Sequence, residues 1–99
     1  MLLIIGEVRF PLSKVEEAKP ELKKLIDASR MESGCLEFTC AEDLLEAGLI
    51  RIREAWRDRA AFNQHAASEH MASWLSGQAT KWITERKITM FNAEEVVSQ

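Results

Sequence analysis

Tyrosine is missing from this 99-residue chain, and cysteine, proline and glycine are scarce, at two, two and four residues. Each shortage closes off a chemistry. No Cys-x-x-Cys pair, glycine-rich phosphate loop or serine in a nucleophile elbow occurs, which argues against dithiol exchange, nucleotide-phosphate binding and serine hydrolysis. An enzyme of this sequence is expected to work without a nucleotide cofactor. Basic residues form no stripe either: 13 Lys and Arg are interspersed with 16 Asp and Glu for a net charge of -3, so nucleic acid is not an expected partner. The apolar opening Met1 to Ile5 lacks a basic flank and is far too short for a signal-peptide core or a membrane span. A cytoplasmic protein with no membrane attachment is expected.

What is present suits one globular domain over residues 1–99, with 46% hydrophobic and 29% charged residues. A chain of this size supports one core, and dimerisation is an ordinary means of burying more apolar surface. From Leu2 to Phe10, the residues Ile4, Gly6, Val8 and Phe10 alternate with Leu3, Ile5, Glu7 and Arg9, and Pro11 closes the strand. Ser13 and Glu16 make a capping-box pattern, after which Val15, Ala18, Leu22, Leu25, Ile26 and Ser29 form one helical stripe to about Met31. Pro20 predicts a kink or a late start near Lys19.

A second strand follows with Leu36, Phe38 and Cys40 on one face. Cys35 and Cys40 then point to opposite faces, roughly 17 Å apart at strand rise, and are read as reduced thiols. After a polar connection, Ile50, Ile52, Glu54 and Trp56 share one face of a third strand. Asp58 and Ser68 can cap two helical pieces, the second carrying Met71, Trp74, Leu75, Gln78 and Trp82, and residues 83–92 read as a last strand. This order predicts an α+β, ferredoxin-like βαββαβ fold: a four-stranded antiparallel sheet with both helices on one face. The opposite face mixes Leu3 and Ile5 with Glu7, Arg9, Glu37, Arg51, Arg53, Glu85 and Lys87, which suits water or a dimer interface whose charges pair.

Chemically versatile side chains concentrate between Glu54 and Trp74. A carboxylate at Glu54, on an apolar sheet face, loses solvation and should titrate upward toward the range of a useful base, unless Arg86 or Arg30 pairs with it. His65 and His70 stand roughly 140° apart on an ideal helix, so they converge only if the chain breaks near Ala67 and Ser68. His65 suits a helix C-terminus as a cation, whereas His70, beside Met71 and Trp74, borders a pocket as a neutral acceptor. Trp56, Phe62, Met71 and Trp74 serve as core or as its oily wall. His65 and Glu69, joined by Glu54 and His70, supply the residues from which a two-histidine, one-carboxylate site could be built, but no tight ligand motif is present and no metal is assigned.

The run Glu54-x-Trp56, Phe62, His65, His70-Met71 and Trp74, with Glu32-Ser-Gly34-Cys35 before the second strand and Ile5-Gly-Glu7-Val-Arg9 in the first, resembles the antibiotic biosynthesis monooxygenase family. The similarity is strongest to its quinol monooxygenase branch. It implies a homodimeric α+β barrel paired sheet to sheet, with a pocket in each subunit between sheet and helices. It also implies oxidation of a quinol, anthrone or related hydroxylated aromatic by molecular oxygen with no metal or flavin. The logic is that a base removes a proton and the electron-rich anion then reduces oxygen itself. Trp56 matches the pocket tryptophan of the polyketide-oxidising branch, while that branch's tyrosine falls on Phe62 and its asparagine on Ile52.

The expected roles follow. His70 takes the proton, Glu54 or His65 polarises it, and Trp56, Phe62, Met71 and Trp74 hold the ring, with Arg30 and Arg86 in reach of an anionic group. Two other classes use the same residues: an isomerase of a small phosphorylated sugar held by Arg30 and Arg86, and a non-catalytic dimeric protein that binds a small molecule.

Overall fold

β1 (Leu2–Arg9) occupies the middle of the sheet, and its side chains alternate as a strand period requires: Leu2, Ile4, Gly6 and Val8 are buried, while Ile5 is 55% exposed. In this computed structural model, which describes residues 1–99, β1 pairs antiparallel with β3 (Leu49–Trp56) and with β4 (Glu85–Asn92). β2 (Cys35–Glu42) adds to the far side of β3, giving the order β2-β3-β1-β4. The connections carry α1 (Val15–Arg30), then α2 (Arg59–Ala66), α3 (Glu69–Ser76) and α4 (Gln78–Trp82). This is the α+β ferredoxin-like plan with its second helix delivered in three pieces.

Two adjoining apolar clusters hold the helices against one face of the sheet. Val8, Phe10 and Ile50 meet Val15, Ala18, Leu22 and Ala79 in the first, and Leu2, Ile4, Phe38 and Trp56 meet Leu25 and Ala61 in the second. Each large side chain fully buried there contributes about 1.5–3 kcal/mol.

α1 departs from expectation at its start. Lys14 is the N-cap and no side chain caps it; instead the Pro11 carbonyl accepts from both Lys14 and Val15 N–H, at 2.9 and 3.0 Å. Ser13 therefore sits in the turn rather than in a capping box. The helix also begins at Val15, before Pro20 rather than near Lys19. Pro20 and Glu16 are both exposed, so the Glu16 carbonyl that loses its ladder partner can bond water, which lowers the cost of proline inside a helix.

A bulge in β2 corrects two further expectations. Cys35 pairs with Trp56 and Glu37 with Ala55, so Leu36 is the extra residue and lies 58% exposed instead of joining Phe38 and Cys40. The same shift brings Cys35 and Cys40 against one cluster rather than onto opposite faces, and both are free thiols. Burial pushes the Cys40 thiol up to about 12, which makes it inert at neutral pH.

The helical passage breaks where the sequence permits. Asp58 accepts from Ala61 N–H at 2.8 Å and Ser68 from Met71 N–H at 3.3 Å, capping α2 and α3. The stripe expected to run from Met71 to Trp82 is interrupted at Gly77, and α4 restarts the chain toward β4. No helix is long and apolar enough to cross a membrane.

Candidate active site

Strand period places Glu54 and Trp56 on the inner face of β3, under the helices. The Trp56 indole N–H donates to Glu54 Oε1 at 2.9 Å, and the ring itself is fully buried. His65, in the last turn of α2, lies over that indole with 4.4 Å between ring centroids and 34° between planes. Only 2% of His65 is exposed. Its Nε2 stands 4.0 Å from Glu54 Oε1.

The other imidazole nitrogen faces away from the sheet. His65 Nδ1 lies 2.7 Å from Glu32 Oε2, and His70 Nε2 meets the same oxygen at 2.8 Å. The break at Ala67 and Ser68 does bring the two histidines together, with 5.7 Å between ring centroids. Their meeting point is Glu32, in the turn between α1 and β2. Gly34 makes that position reachable: a Cβ there would collide with the Ala61 methyl, so glycine lets the turn pack directly on α2.

Beside Glu54 and His65 opens a cavity of about 250 Å³ between sheet and helices. Phe62, Met71, Trp74 and Phe38 form much of its apolar wall, and Ile88, Met90 and Arg86 of β4 border it. Glu54, His65, Arg86 and the Cys40 thiol are its ionisable groups. Desolvation holds the Glu54 carboxyl above the ordinary carboxylate range, although the Trp56 hydrogen bond and the neighbouring His65 oppose it.

The sequence candidates thus separate into two shells. Glu54, His65, Phe62, Met71, Trp74 and Arg86 line the cavity; Trp56 lies behind it as the common support of Glu54 and His65. His70 borders an outer groove with Glu21, Lys24 and Ser73 and reaches the cavity only through Glu32 and His65. Arg30 is turned elsewhere, its Nε donating to the Phe38 carbonyl at 2.9 Å. Neither arginine pairs with Glu54, and Glu69 is exposed and outside the cluster. Periodicity could not reveal Glu32, because its partners lie 33 and 38 residues away; its only signal was its place in the Glu32-Ser-Gly34-Cys35 run.

The antibiotic biosynthesis monooxygenase profile matches residues 1–76. The chain belongs to the antibiotic biosynthesis monooxygenase family. The matched span includes Glu32, Glu54, His65 and His70, whereas Arg86 and β4 lie beyond it. Among solved structures, a candidate antibiotic biosynthesis monooxygenase from Deinococcus radiodurans is 25% identical with a TM-score of 0.89, over 100% of this chain and 98% of that one. Protein PA3566 from Pseudomonas aeruginosa is 28% identical with a TM-score of 0.85, over 95% and 94% of the two chains. Rv0793 from Mycobacterium tuberculosis, at 20% identity, a TM-score of 0.87 and 98% of each chain, shares the fold. In sequence, the uncharacterized protein sll1783 of Synechocystis is 31% identical over 64 residues, spanning 65% of this chain and 44% of that protein. Membership of the antibiotic biosynthesis monooxygenase family supports a monooxygenase at family level and names no substrate.

Proposed function

We propose that this chain is a cofactor-independent monooxygenase that oxidises a quinol or a related small hydroxylated aromatic with molecular oxygen. The observation that carries the proposal is the convergence of His65 and Glu54 on the rim of a predominantly apolar cavity. An imidazole that donates Nδ1–H to Glu32 keeps its lone pair on Nε2, where a phenolic proton can reach it. His65 is therefore assigned the base role expected of His70, and Glu54 stabilises the imidazolium that forms.

The chemistry balances without an external reductant. Deprotonation gives a phenolate that transfers an electron to oxygen, and recombination at a ring carbon followed by loss of water leaves a hydroxyquinone. Quinol plus O2 thus yields hydroxyquinone plus water, with all electrons drawn from the substrate. The apolar walls keep water from the anion and the reduced oxygen. A volume of about 250 Å³, just below the roughly 300–1,000 Å³ of common ligand pockets, favours a quinol over a three-ring anthrone. With Arg30 turned away and Arg86 alone at the border, the site offers little grip for a phosphorylated sugar.

The proposal includes a homodimer formed by the outer sheet face. That face carries a hollow of about 600 Å³ bordered by Ile5, Thr39, Arg51, Arg53, Thr89 and Phe91. Its two arginines are already paired along the sheet, Arg51 with Glu7 at 3.0 Å and Arg53 with Glu37 at 2.9 Å, which lowers the cost of covering them, and Lys87 is left as the unpaired charge of the hollow.

Oxygen uptake with a panel of quinols and anthrones, with and without chelator, tests the assignment. His65→Gln should lower kcat by roughly 10²–10⁴-fold, the usual worth of a positioned base, while His70→Ala should have the smaller effect. Unchanged turnover in a folded His65→Gln protein would remove the base, and no oxygen uptake with any phenol would remove the oxygenase.

A further inference from the structure

The cluster behind the cavity has a property that proton transfer does not use. We propose that Glu32, His65 and His70 form a binding site for a divalent transition-metal ion of the zinc class, and that occupancy switches the His65 base off. The three donors lie within 4.8 Å of one another, two imidazole nitrogens and a carboxylate oxygen, contributed by the α1–β2 turn, the end of α2 and the start of α3. Imidazole with carboxylate is a donor set suited to zinc, cobalt or ferrous iron rather than to magnesium or calcium.

Three observations point to a cation. The Glu32 carboxylate has no lysine or arginine partner; its contacts are the two histidines alone. No permanently charged side chain therefore compensates it, and it is mostly buried at 18% side-chain exposure. Both hydrogen bonds fall on Oε2, leaving Oε1 free to turn toward an ion. Donors bound at about 2.0–2.1 Å in a tetrahedron stand about 3.3 Å apart, so the present contacts of 2.7 and 2.8 Å open by about half an ångström while the widest donor separation, up to 4.8 Å, closes by about 1.5 Å, a shift that side-chain rotation can supply. His70 faces the outer groove, through which an ion could arrive and water could supply the fourth ligand.

The surroundings complete the arrangement. An ion at His65 Nδ1 displaces the proton there and requires it on Nε2. That nitrogen faces Glu54 Oε1 at 4.0 Å, and a carboxylate accepting from the far side of a ligand histidine is the usual outer support of such sites. The Nε2 lone pair is then no longer available to a phenol. This consequence for turnover rests on the oxygenase proposal; the binding does not.

The experiment uses tag-free, chelator-stripped protein titrated with Zn²⁺ by calorimetry and with Co²⁺ by visible absorption, Mg²⁺ serving as the hard-cation control. One Zn²⁺ per chain is expected, with the tetrahedral Co²⁺ spectrum, and affinity should fall at least tenfold in both Glu32→Gln and His70→Ala. His70→Ala decides the matter if Glu32→Gln fails to fold. Absence of stoichiometric Zn²⁺ binding, or binding unchanged in His70→Ala, overturns the site. With an oxidised quinol in hand, Zn²⁺ should suppress turnover and chelator restore it; full turnover at saturating Zn²⁺ would overturn the switch while leaving the site.

Discussion

Trp56 Nε1 donates to Glu54 Oε1 across 2.9 Å, from two residues along the same strand face, while the His65 ring lies over the indole at 4.4 Å between centroids. One buried side chain thereby contacts both Glu54 and His65, and strand period guarantees the first of these contacts. Trp56→Phe keeps an aromatic surface and removes the donor. It should cost about 1–3 kcal/mol, the price of an unpaired buried acceptor, and lower kcat roughly tenfold with KM little changed. Urea denaturation and steady-state oxygen uptake measure the two, and an unaltered kcat would show that Glu54 needs no anchor.

Glu54 should also weigh against stability at neutral pH. Desolvation raises its folded pKa above the unfolded value, so the linked stability is fully present below the unfolded carboxylate pKa and is lost as pH rises through the folded one. Glu54→Gln retains an acceptor for the Trp56 N–H and cannot ionise. The variant should melt a few degrees above wild type near pH 8, at roughly 4–8 °C per kcal/mol, and the two curves should converge on acidification while turnover is lost. A variant less stable than wild type at pH 8 would reverse the sign.

Gly34→Ala tests the packing that delivers Glu32. The added methyl would meet Ala61, which is 3% exposed and one turn before His65. Overpacking of this kind costs about 1–3 kcal/mol, and pushing α2 outward should widen the Glu32 to His65 contact and lower activity. Adding Ala61→Gly to the same chain should restore stability and turnover together; failure of that rescue would place the effect elsewhere.

The outer face gives a fourth test. Ile5 is 55% exposed and Phe91 46% exposed beside the sheet hollow, and a second copy would cover both. Wild type should sediment at twice the monomer mass, and Ile5→Lys should shift the equilibrium toward monomer without altering the monomer's far-ultraviolet spectrum. A wild-type monomer at micromolar concentration would remove the dimer.

Alternation and capping decided most of the architecture, because each depends on residues a few positions apart. The inward order Leu2, Ile4, Gly6, Val8, the shared face of Glu54 and Trp56, and the caps Asp58 and Ser68 all follow from local period and local hydrogen bonding. Where a single inserted residue or a distant carbonyl intervened, at Leu36 and Pro11, the pattern gave the wrong face or the wrong cap. Local rules also told that His65 and His70 could meet only across a break, but not what they meet. That was left to tertiary structure: Glu32 arrives from a turn more than thirty residues earlier, carried there by the docking of α1 on the sheet and by the missing side chain at Gly34. The contact occupies His70 and leaves His65 Nε2 beside Glu54 at the cavity, and the proposed choice of His65 as base rests on that packing, a relation between surfaces that no linear spacing encodes.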